Sequence, residues 1–208
     1  MKTQPCWANL KYTEKPLVAS QPRCFNVMLL EEYKNAWAKD FAIIKKVIEQ
    51  SLIPASISIE HIGSTSVPDL SAKPIIDIDI VYETEKNFAD IKSGLEQLGY
   101  YHNGNQGITD REVFKRRIDS NKHETLDFIP HHLYVCSTNS EELQKHILFR
   151  DYLIANEEAR FQYQQIKVEL AAEANQDRKK YAALKELKAT GLINSIVDKL
   201  KTNNTKNF

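Results

Sequence analysis

Two aspartates that alternate with isoleucines, Asp77 and Asp79, are the residues of this sequence best suited to chemistry. In an extended strand the side-chain period is two, so both carboxylates point to one face and the isoleucines to the other. A rise of about 3.3 Å per residue places the two carboxylates roughly 6 to 7 Å apart. Such a pair can hold Mg²⁺ or Mn²⁺, which bind one or two carboxylates together with substrate phosphates. The ordinary alternative is that the acids only solvate the end of a strand.

A glycine turn precedes this strand and has the sequence Gly63-Ser64-Thr65-Ser66. Glycine permits close approach of the backbone, and successive backbone amides of such a turn can bind an anion. The turn therefore predicts a phosphate site at one end of a cleft whose other end holds the metal ion. A simple surface turn is the alternative.

Two further residues near the turn could contribute to phosphate binding. Lys73 could reach a phosphate as a point charge, or it could be a solvated loop lysine. His61 could order the turn or contact the substrate, or it could be a structural histidine at a strand end.

The sequence around these residues resembles the signature of the GrpB family, a branch of the nucleotidyltransferase superfamily with a DNA-polymerase-β-like core. The resemblance covers about residues 26 to 200, and two positions depart from the family pattern: Asp69, where the family usually has glycine, and Tyr134, where many members have a second histidine. The matching residues are His61-Ile62-Gly63-Ser64-Thr65-Ser66-Val67-Pro68, Ala72-Lys73-Pro74-Ile75-Ile76-Asp77-Ile78, Tyr33, Trp37, His132-Leu133-Tyr134-Val135 and Phe149-Arg150-Asp151-Tyr152-Leu153.

The resemblance implies an enzyme that moves a nucleoside monophosphate from a nucleoside triphosphate to an unidentified hydroxyl acceptor, with Mg²⁺ or Mn²⁺ held by Asp77 and Asp79. In this superfamily a third carboxylate often lies beside the pair and takes the proton of the attacking hydroxyl. Asp127 is the nearest candidate by local pattern, and the family strand offers His132 instead.

A non-catalytic nucleotide-binding or regulatory module is the alternative function. The resemblance also implies a partner in coenzyme A metabolism, because related domains occur fused to dephospho-coenzyme-A kinases. The chain itself has no Gly-x-x-x-x-Gly-Lys-Ser/Thr sequence, so it cannot supply that kinase activity.

Composition limits the remaining possibilities. The 208 residues include 28 Lys and Arg against 28 Asp and Glu, and this balance argues against an extended nucleic-acid surface. The three cysteines are widely spaced and odd in number, which favours a reducing compartment. Because no long apolar run suggests a signal peptide or membrane span, we expect a cytoplasmic protein.

The element pattern predicts an α/β (α+β) fold, and the resemblance specifies a nucleotidyltransferase-like mixed sheet with flanking helices. We expect an irregular arm over residues 1–25, a core over 26–138 and a C-terminal helical subdomain over 139–208. Apolar spacing predicts a helix from Leu30 to Ile48 and another over Phe88 to Leu98, capped by Thr84 and ended by Gly99.

The segments that follow are less regular in pattern. We predict a loop over residues 100–110, and two extended segments over residues 126–129 and 130–136. The basic run 111–118 predicts a strand that faces the triphosphate or forms a solvated edge. Asn139 followed by Glu142 predicts a capping box at the start of the first C-terminal helix. Within that helix, Arg150 and Asp151 could be functional or structural, as could Lys185 further on.

Overall fold

The computed structural model describes residues 29–52, 57–117 and 122–205. The predicted N-terminal arm therefore lies outside the described residues, as does Pro54, the predicted helix terminator. The elements are α1 (Ala36–Ser51), β1 (Ile57–Ile62), β2 (Ile76–Tyr82), α2 (Glu85–Gln97), β3 (Tyr100–His102), β4 (Arg111–Arg116), α3 (Glu124–Phe128), β5 (His131–Ser137), α4 (Glu141–Ala155), α5 (Glu157–Glu173) and α6 (Arg178–Thr205), with a 3-10 turn at Ser64–Ser66.

The strands form one mixed sheet in the order β1-β2-β5-β4-β3. Strands β2 and β5 are parallel, and the other three pairings are antiparallel. The predicted mixed α/β class with flanking helices is confirmed. Residues 100–102 were predicted as loop, and that prediction is wrong because they pair with β4. Since β3 covers β4, the basic strand lies inside the sheet and is not an edge.

One face of the sheet is apolar and holds the main core. Ile76, Ile78 and Ile80 of β2 are almost fully buried there, against Trp37, Ile44 and Ile48 of α1 and Ile91 and Leu95 of α2. Helix α2 begins at Thr84, whose side chain accepts a hydrogen bond from the Asn87 amide, and Gly99 follows it with φ 82°. Both predicted ends of α2 are confirmed, and α1 begins at Ala36 and not at Leu30.

The opposite face carries Asp77 and Asp79, and we refer to it as the acid face. Helix α4 crosses its far end, where Leu143 packs against Val81 and Cys136. Helices α5 and α6 pack beside it, and Leu153 and Tyr163 join Val67 and Leu70 after the glycine turn in a separate cluster. Three helices therefore cover the acid face and leave a space above Asp77.

Two local predictions fail for identifiable reasons. Residues 126–129 were predicted to be extended, but Glu124–Phe128 is helical because the His123 side chain accepts a hydrogen bond from the Leu126 amide and caps the turn. Helix α4 is capped by Ser140 and not by Asn139, since the buried Ser140 hydroxyl accepts from the Leu143 amide.

Membrane crossing is a separate question. In the part of the chain that the structure describes, no helix combines the length and the apolar character that a membrane span requires.

Candidate active site

The strand register places the two acids in successive rows of the acid face. In one row Asp77 lies between Ile62 of β1 and His132 of β5. In the next row Asp79 lies between Glu60 and Tyr134. The predicted shared face is therefore observed, and His132 is the strand neighbour of Asp77.

Asp77 lies at the accessible end of the acid face, and its side chain is 30% exposed. Its Oδ1 accepts a hydrogen bond of 2.8 Å from His132 Nδ1. A carboxylate only accepts, so this contact requires the proton on Nδ1 and leaves Nε2 of a neutral His132 as an acceptor. His132 is 51% exposed, so that nitrogen is accessible to a substrate.

Gly63 lies directly against Asp77. Its φ of 73° and ψ of −171° fall in a region that essentially only glycine occupies. A Cβ added to Gly63 would overlap Asp77 Oδ2. The turn and the carboxylate are therefore in close contact, and glycine is required on both conformational and steric grounds.

Asp79 is fully buried beneath α4. Its Oδ2 accepts a hydrogen bond of 2.8 Å from His146 Nδ1, and His146 Nε2 lies 3.5 Å from Glu142. Burial opposes protonation of His146, but the two carboxylates outweigh it and raise its pKa to about 9. The His146 hydrogen bond lowers the pKa of Glu142 to about 2. The second oxygen, Asp79 Oδ1, is buried and has no hydrogen-bond partner among the described residues.

The residues around the glycine turn have distinct placements. His61 stacks on Phe41 at 4.6 Å, on the apolar side of β1, and its Nε2 lies 3.1 Å from Thr65 Oγ1. Thr65 Oγ1 in turn donates to the Ile75 carbonyl, and Ser66 Oγ donates to the Gly63 carbonyl at 2.6 Å. Burial lowers the pKa of His61 to about 4, so His61 is neutral at pH 7 and its observed contact orders the turn.

Three lysines approach Asp77 from above. Lys167 of α5 is 1% exposed and donates to the Ser71 carbonyl. Burial lowers its pKa well below the usual range, and Lys185 and Lys73 add to this. Burial and then Lys185 also lower the pKa of Lys73, which lies 5.3 Å from the centre of the Tyr181 ring. Tyr163 and Tyr181 outweigh burial and raise the pKa of Lys185 above its usual range. Three lysine side chains in one partly buried space are suited to bind an anion of several charges.

These groups line one cavity of about 300 Å³, which we call the lysine cavity. Its walls combine the acid face, the turn and the three helices α4, α5 and α6. The predicted Asp77, Gly63, Ser64, Thr65, Lys73 and His132 all line it, together with Lys167, Lys185 and His146.

Asp127 is not among these residues. It belongs to α3, where its Oδ1 lies 2.6 Å from Arg116 Nη2 of β4 and its Oδ2 accepts from the His123 amide. That amide and Arg116 lower the pKa of the Asp127 carboxyl. Strand β4 lies on the other side of β5 from β2, so the structure does not bring Asp127 to the acid pair.

Two residues of the site were not predicted. His146 carried a weak signal, because Glu142 and His146 are spaced i, i+4 on one face of a helix. Lys167 carried none, since a lysine within a regular helix pattern is normally a solvated residue.

A divalent ion fits the acid pair in part. Asp79 Oδ1 is a buried oxygen without a partner, and Asp77 Oδ2 faces the glycine turn. Within residues 29–52, 57–117 and 122–205 no group of three or more His, Cys, Asp or Glu side chains is arranged to hold a metal ion. Two carboxylates completed by phosphate oxygens and water are the usual donor set for Mg²⁺, so Asp77 and Asp79 would hold the ion together with substrate.

Comparison with known proteins settles the family. The family model described as "GrpB protein" matches residues 27–198. The chain belongs to the GrpB family. The resemblance seen in the sequence is thereby confirmed.

This GrpB chain is similar to several known proteins and solved structures. It is 33% identical over 141 residues to the UPF0157 protein YqkA of Bacillus subtilis, and the match covers 68% of the chain but only 39% of YqkA. The crystal structure of GrpB from Enterococcus faecalis aligns with a TM-score of 0.66 and 27% identity, over 82% of this chain and 98% of that one. Cid1 poly(U) polymerase with bound MgGTP aligns over 69% of this chain and 44% of its own, with a TM-score of 0.48 and 11% identity. That last likeness is too low to bear on function.

Proposed function

We propose that this GrpB protein is a metal-dependent nucleotidyltransferase that moves a nucleoside monophosphate from a nucleoside triphosphate to a hydroxyl acceptor. The observation that carries the proposal is the lysine cavity, in which Asp77, the glycine turn and Lys73, Lys167 and Lys185 meet. A carboxylate and three lysine side chains that line one cavity match a metal-bound polyphosphate in charge.

The lysines and the turn would bind the phosphates. Within a 3-10 turn the first amides have no partner inside the turn itself, so those of Ser64 and Thr65 are suited to phosphate oxygens. Lys73, Lys167 and Lys185 offset the charge that passes to the leaving pyrophosphate. Mg²⁺ or Mn²⁺ at Asp77 and Asp79 would supply Lewis-acid stabilisation of the same charge.

In the transfer the acceptor oxygen forms a bond to the α-phosphorus while the bond from that phosphorus to the β-phosphate oxygen breaks. Pyrophosphate leaves with the electron pair. The proton of the acceptor hydroxyl passes to His132 Nε2, the acceptor nitrogen of a neutral imidazole whose Nδ1–H donates to Asp77. His132 thus takes the role that a third carboxylate has in the superfamily, and Asp127 is not needed for it.

Asp77→Asn tests the proposal. The variant keeps the shape of the side chain and removes its charge, so we expect the fold to survive and the thermal stabilisation by Mg²⁺ with each of the four nucleoside triphosphates to disappear. Asp90→Asn, a change in α2 on the opposite side of the sheet, is the matched control and should respond as wild type. An Asp77→Asn protein that is stabilised by nucleotide as strongly as wild type would contradict the proposal.

A non-catalytic nucleotide-binding module is the second candidate. It is favoured by one observation: among the described residues Asp77 is the only carboxylate that lines the lysine cavity. Magnesium-dependent nucleotide binding without pyrophosphate release, in the presence of a broad set of hydroxyl compounds, would support it. A dephospho-coenzyme-A kinase as partner stays a prediction, which co-purification from cells would test.

A further inference from the structure

A second and larger space adjoins the lysine cavity. It has a volume of about 850 Å³ and extends along the sheet towards β4 and α3. Arg111, His132 and Tyr134 line both spaces, so the two spaces are adjacent at the residue proposed to accept the proton. A substrate in the larger space would therefore reach His132 from the side away from the lysines.

The floor of this space is apolar. Leu126, Ile129, Pro130 and Leu133 contribute to it, and Phe128 of α3 projects beside them with 85% of its surface exposed. A phenylalanine so exposed at the rim of a groove offers a flat contact to the body of a ligand.

The rim is cationic. Lys115, Arg117 and Lys122 lie on it, and Arg111 closes the end near the active site. Only two carboxylates line the space in the described residues, Glu124 and Asp127, and Asp127 is already paired with Arg116. Arg111 lies over the Tyr134 ring at 4.9 Å, and its Nη1 is 3.9 Å from Glu142 Oε1, whereas its buried Nε has no hydrogen-bond partner in the described part of the chain. The charge balance thus favours an anionic ligand.

The direction of attack decides which substrate would lie here. In a phosphoryl displacement the attacking oxygen and the leaving oxygen are roughly in line on opposite sides of the phosphorus. The lysine cavity is placed to bind the leaving pyrophosphate, and the larger space extends from His132 of β5 towards β4, away from the strand that carries Asp77. The acceptor would therefore enter through the larger space.

We infer that this groove, lined by Lys115, Lys122, Phe128, Ile129 and Tyr134, binds the acceptor, and that the acceptor is a small organic anion with a flat or apolar body. We call it the acceptor groove. The acceptor role rests on the proposed transferase function. Binding of such an anion in the groove can be measured without turnover.

The binding test uses 1-naphthyl phosphate as probe, titrated into the full chain and followed by its fluorescence. We expect it to bind about tenfold more tightly than 1-naphthol or inorganic phosphate, because only the probe uses both the floor and the rim. Lys122→Ala and Phe128→Ala should each weaken binding about fivefold or more. Both side chains are exposed, so neither change should affect folding. Lys39→Ala on α1 and Phe161→Ala on α5 are exposed controls outside the groove and should bind as wild type.

One further variant separates the groove from the lysine cavity. Lys167→Met should leave probe binding unchanged if the probe lies in the acceptor groove. Probe binding that is lost in Lys167→Met and retained in Lys122→Ala and Phe128→Ala would overturn the inference. A clear preference for a single-stranded oligonucleotide over naphthyl phosphate would overturn the small-molecule class.

Turnover tests the role of the groove. An α-labelled nucleoside triphosphate and a mixture of anionic hydroxyl compounds would first identify the compound that receives the label. Phe128→Ala should raise the KM for that compound and leave the KM for the nucleotide unchanged. The opposite pattern would overturn the assignment. If Asp77→Asn fails to affect nucleotide binding while the probe still depends on Lys122 and Phe128, the transferase proposal falls and the anion site stands.

Discussion

At the scale of single residues, the two aspartates differ although they are only two positions apart. Asp77 is partly exposed and bonded to His132, whereas Asp79 is fully buried and bonded to His146. The difference arises because α4 crosses the row of Asp79 and leaves the row of Asp77 open. We therefore expect Asp77 to contact substrate. The charge on the buried Asp79 is instead balanced by its neighbour His146.

Gly63→Ala is predicted to damage both the turn and the site. The added Cβ would overlap Asp77 Oδ2 and would occupy a φ of 73°, so we expect a loss of about 1–3 kcal/mol in unfolding free energy and loss of nucleotide-dependent stabilisation. Thermal melts with and without Mg-nucleotide measure both effects. Gly191→Ala is the control: Gly191 lies in α6 with open space around it, and alanine there should stabilise by about 0.5–1 kcal/mol. Equal effects of the two changes would contradict this account.

Lys167→Met is predicted to raise the unfolding free energy and to weaken nucleotide binding. Lys167 is buried close to two other lysines, so an apolar side chain of similar length should raise the unfolding free energy of the unliganded protein by about 1–2 kcal/mol. The same change should weaken Mg-nucleotide binding about tenfold or more, because it removes a proposed phosphate ligand. Denaturant unfolding and calorimetric titration would measure the two effects, and Lys39→Met should change neither. Lower stability together with unchanged binding would show that Lys167 is only structural.

At the scale of elements, α4 is the helix that completes the acid face. Arg150 Nη1 donates to Glu60 at 2.9 Å and to the His61 carbonyl at 3.0 Å, which fixes α4 to β1. His146 fixes the same helix to β2. Arg150 also donates to Asp151 at 2.7 Å. These contacts of Arg150 fit the structural interpretation of Arg150 and Asp151.

The contact between α4 and β2 predicts a pH dependence of stability. Between Asp79 and Glu142 the pKa of His146 rises to about 9, while an unfolded histidine titrates near about 6.5. Folding therefore favours the protonated form. The stabilisation is complete below about pH 6.5 and is lost as the pH rises through about 9.

In the metal-free protein the His146 contact should consequently contribute about 1–3 kcal/mol less unfolding free energy at about pH 9 than at about pH 6.5. The buried Lys167, whose pKa is lowered, contributes the opposite slope, so the test is the difference between wild type and His146→Gln. Wild type should be the more stable at about pH 6.5, and the difference should shrink as the pH rises to about 9. Urea unfolding at a series of pH values measures this, and a difference that stays constant or grows would contradict a charged His146.

At the scale of the whole molecule, the candidate active site depends on packing between distant parts of the chain. Asp77 belongs to the second strand, whereas Lys167 and Lys185 belong to the last two helices. Nucleotide bound between them should link these elements more tightly. We predict that Mg-nucleotide slows amide hydrogen exchange in the turn, α5 and α6 by about tenfold or more, and leaves α2 unchanged. Exchange measured by mass spectrometry tests this, and protection confined to the sheet would contradict the proposed role of the helices.

The position of Asp69 shows how sequence and structure complement each other. The family pattern has glycine there, and the structure gives Asp69 a φ of 63°. Aspartate is one of the few residues with a side chain that adopts this conformation readily. The departure from the pattern is therefore compatible with the turn that the pattern predicts.

The sequence by itself determined the features that depend on neighbours along the chain. Strand alternation placed Asp77 and Asp79 on one face, and Gly63 to Ser66 were predicted to form a turn, although its direct contact with Asp77 was not predicted. It also gave the ends of α2 and the family. These features are local, because side-chain period, capping and backbone conformation are set within a few residues.

Only the tertiary structure decided the rest. Asp127 belongs to a short helix paired with Arg116, His146 holds the buried aspartate, and Lys167 lies beneath the roof of the lysine cavity. Each outcome depends on contacts between residues far apart in the chain, and no periodicity records which helix will cover which row of a sheet. The arrangement of the acid pair is thus set by the sequence of one strand. The cavity around Asp77 forms only when the C-terminal helices pack over that strand.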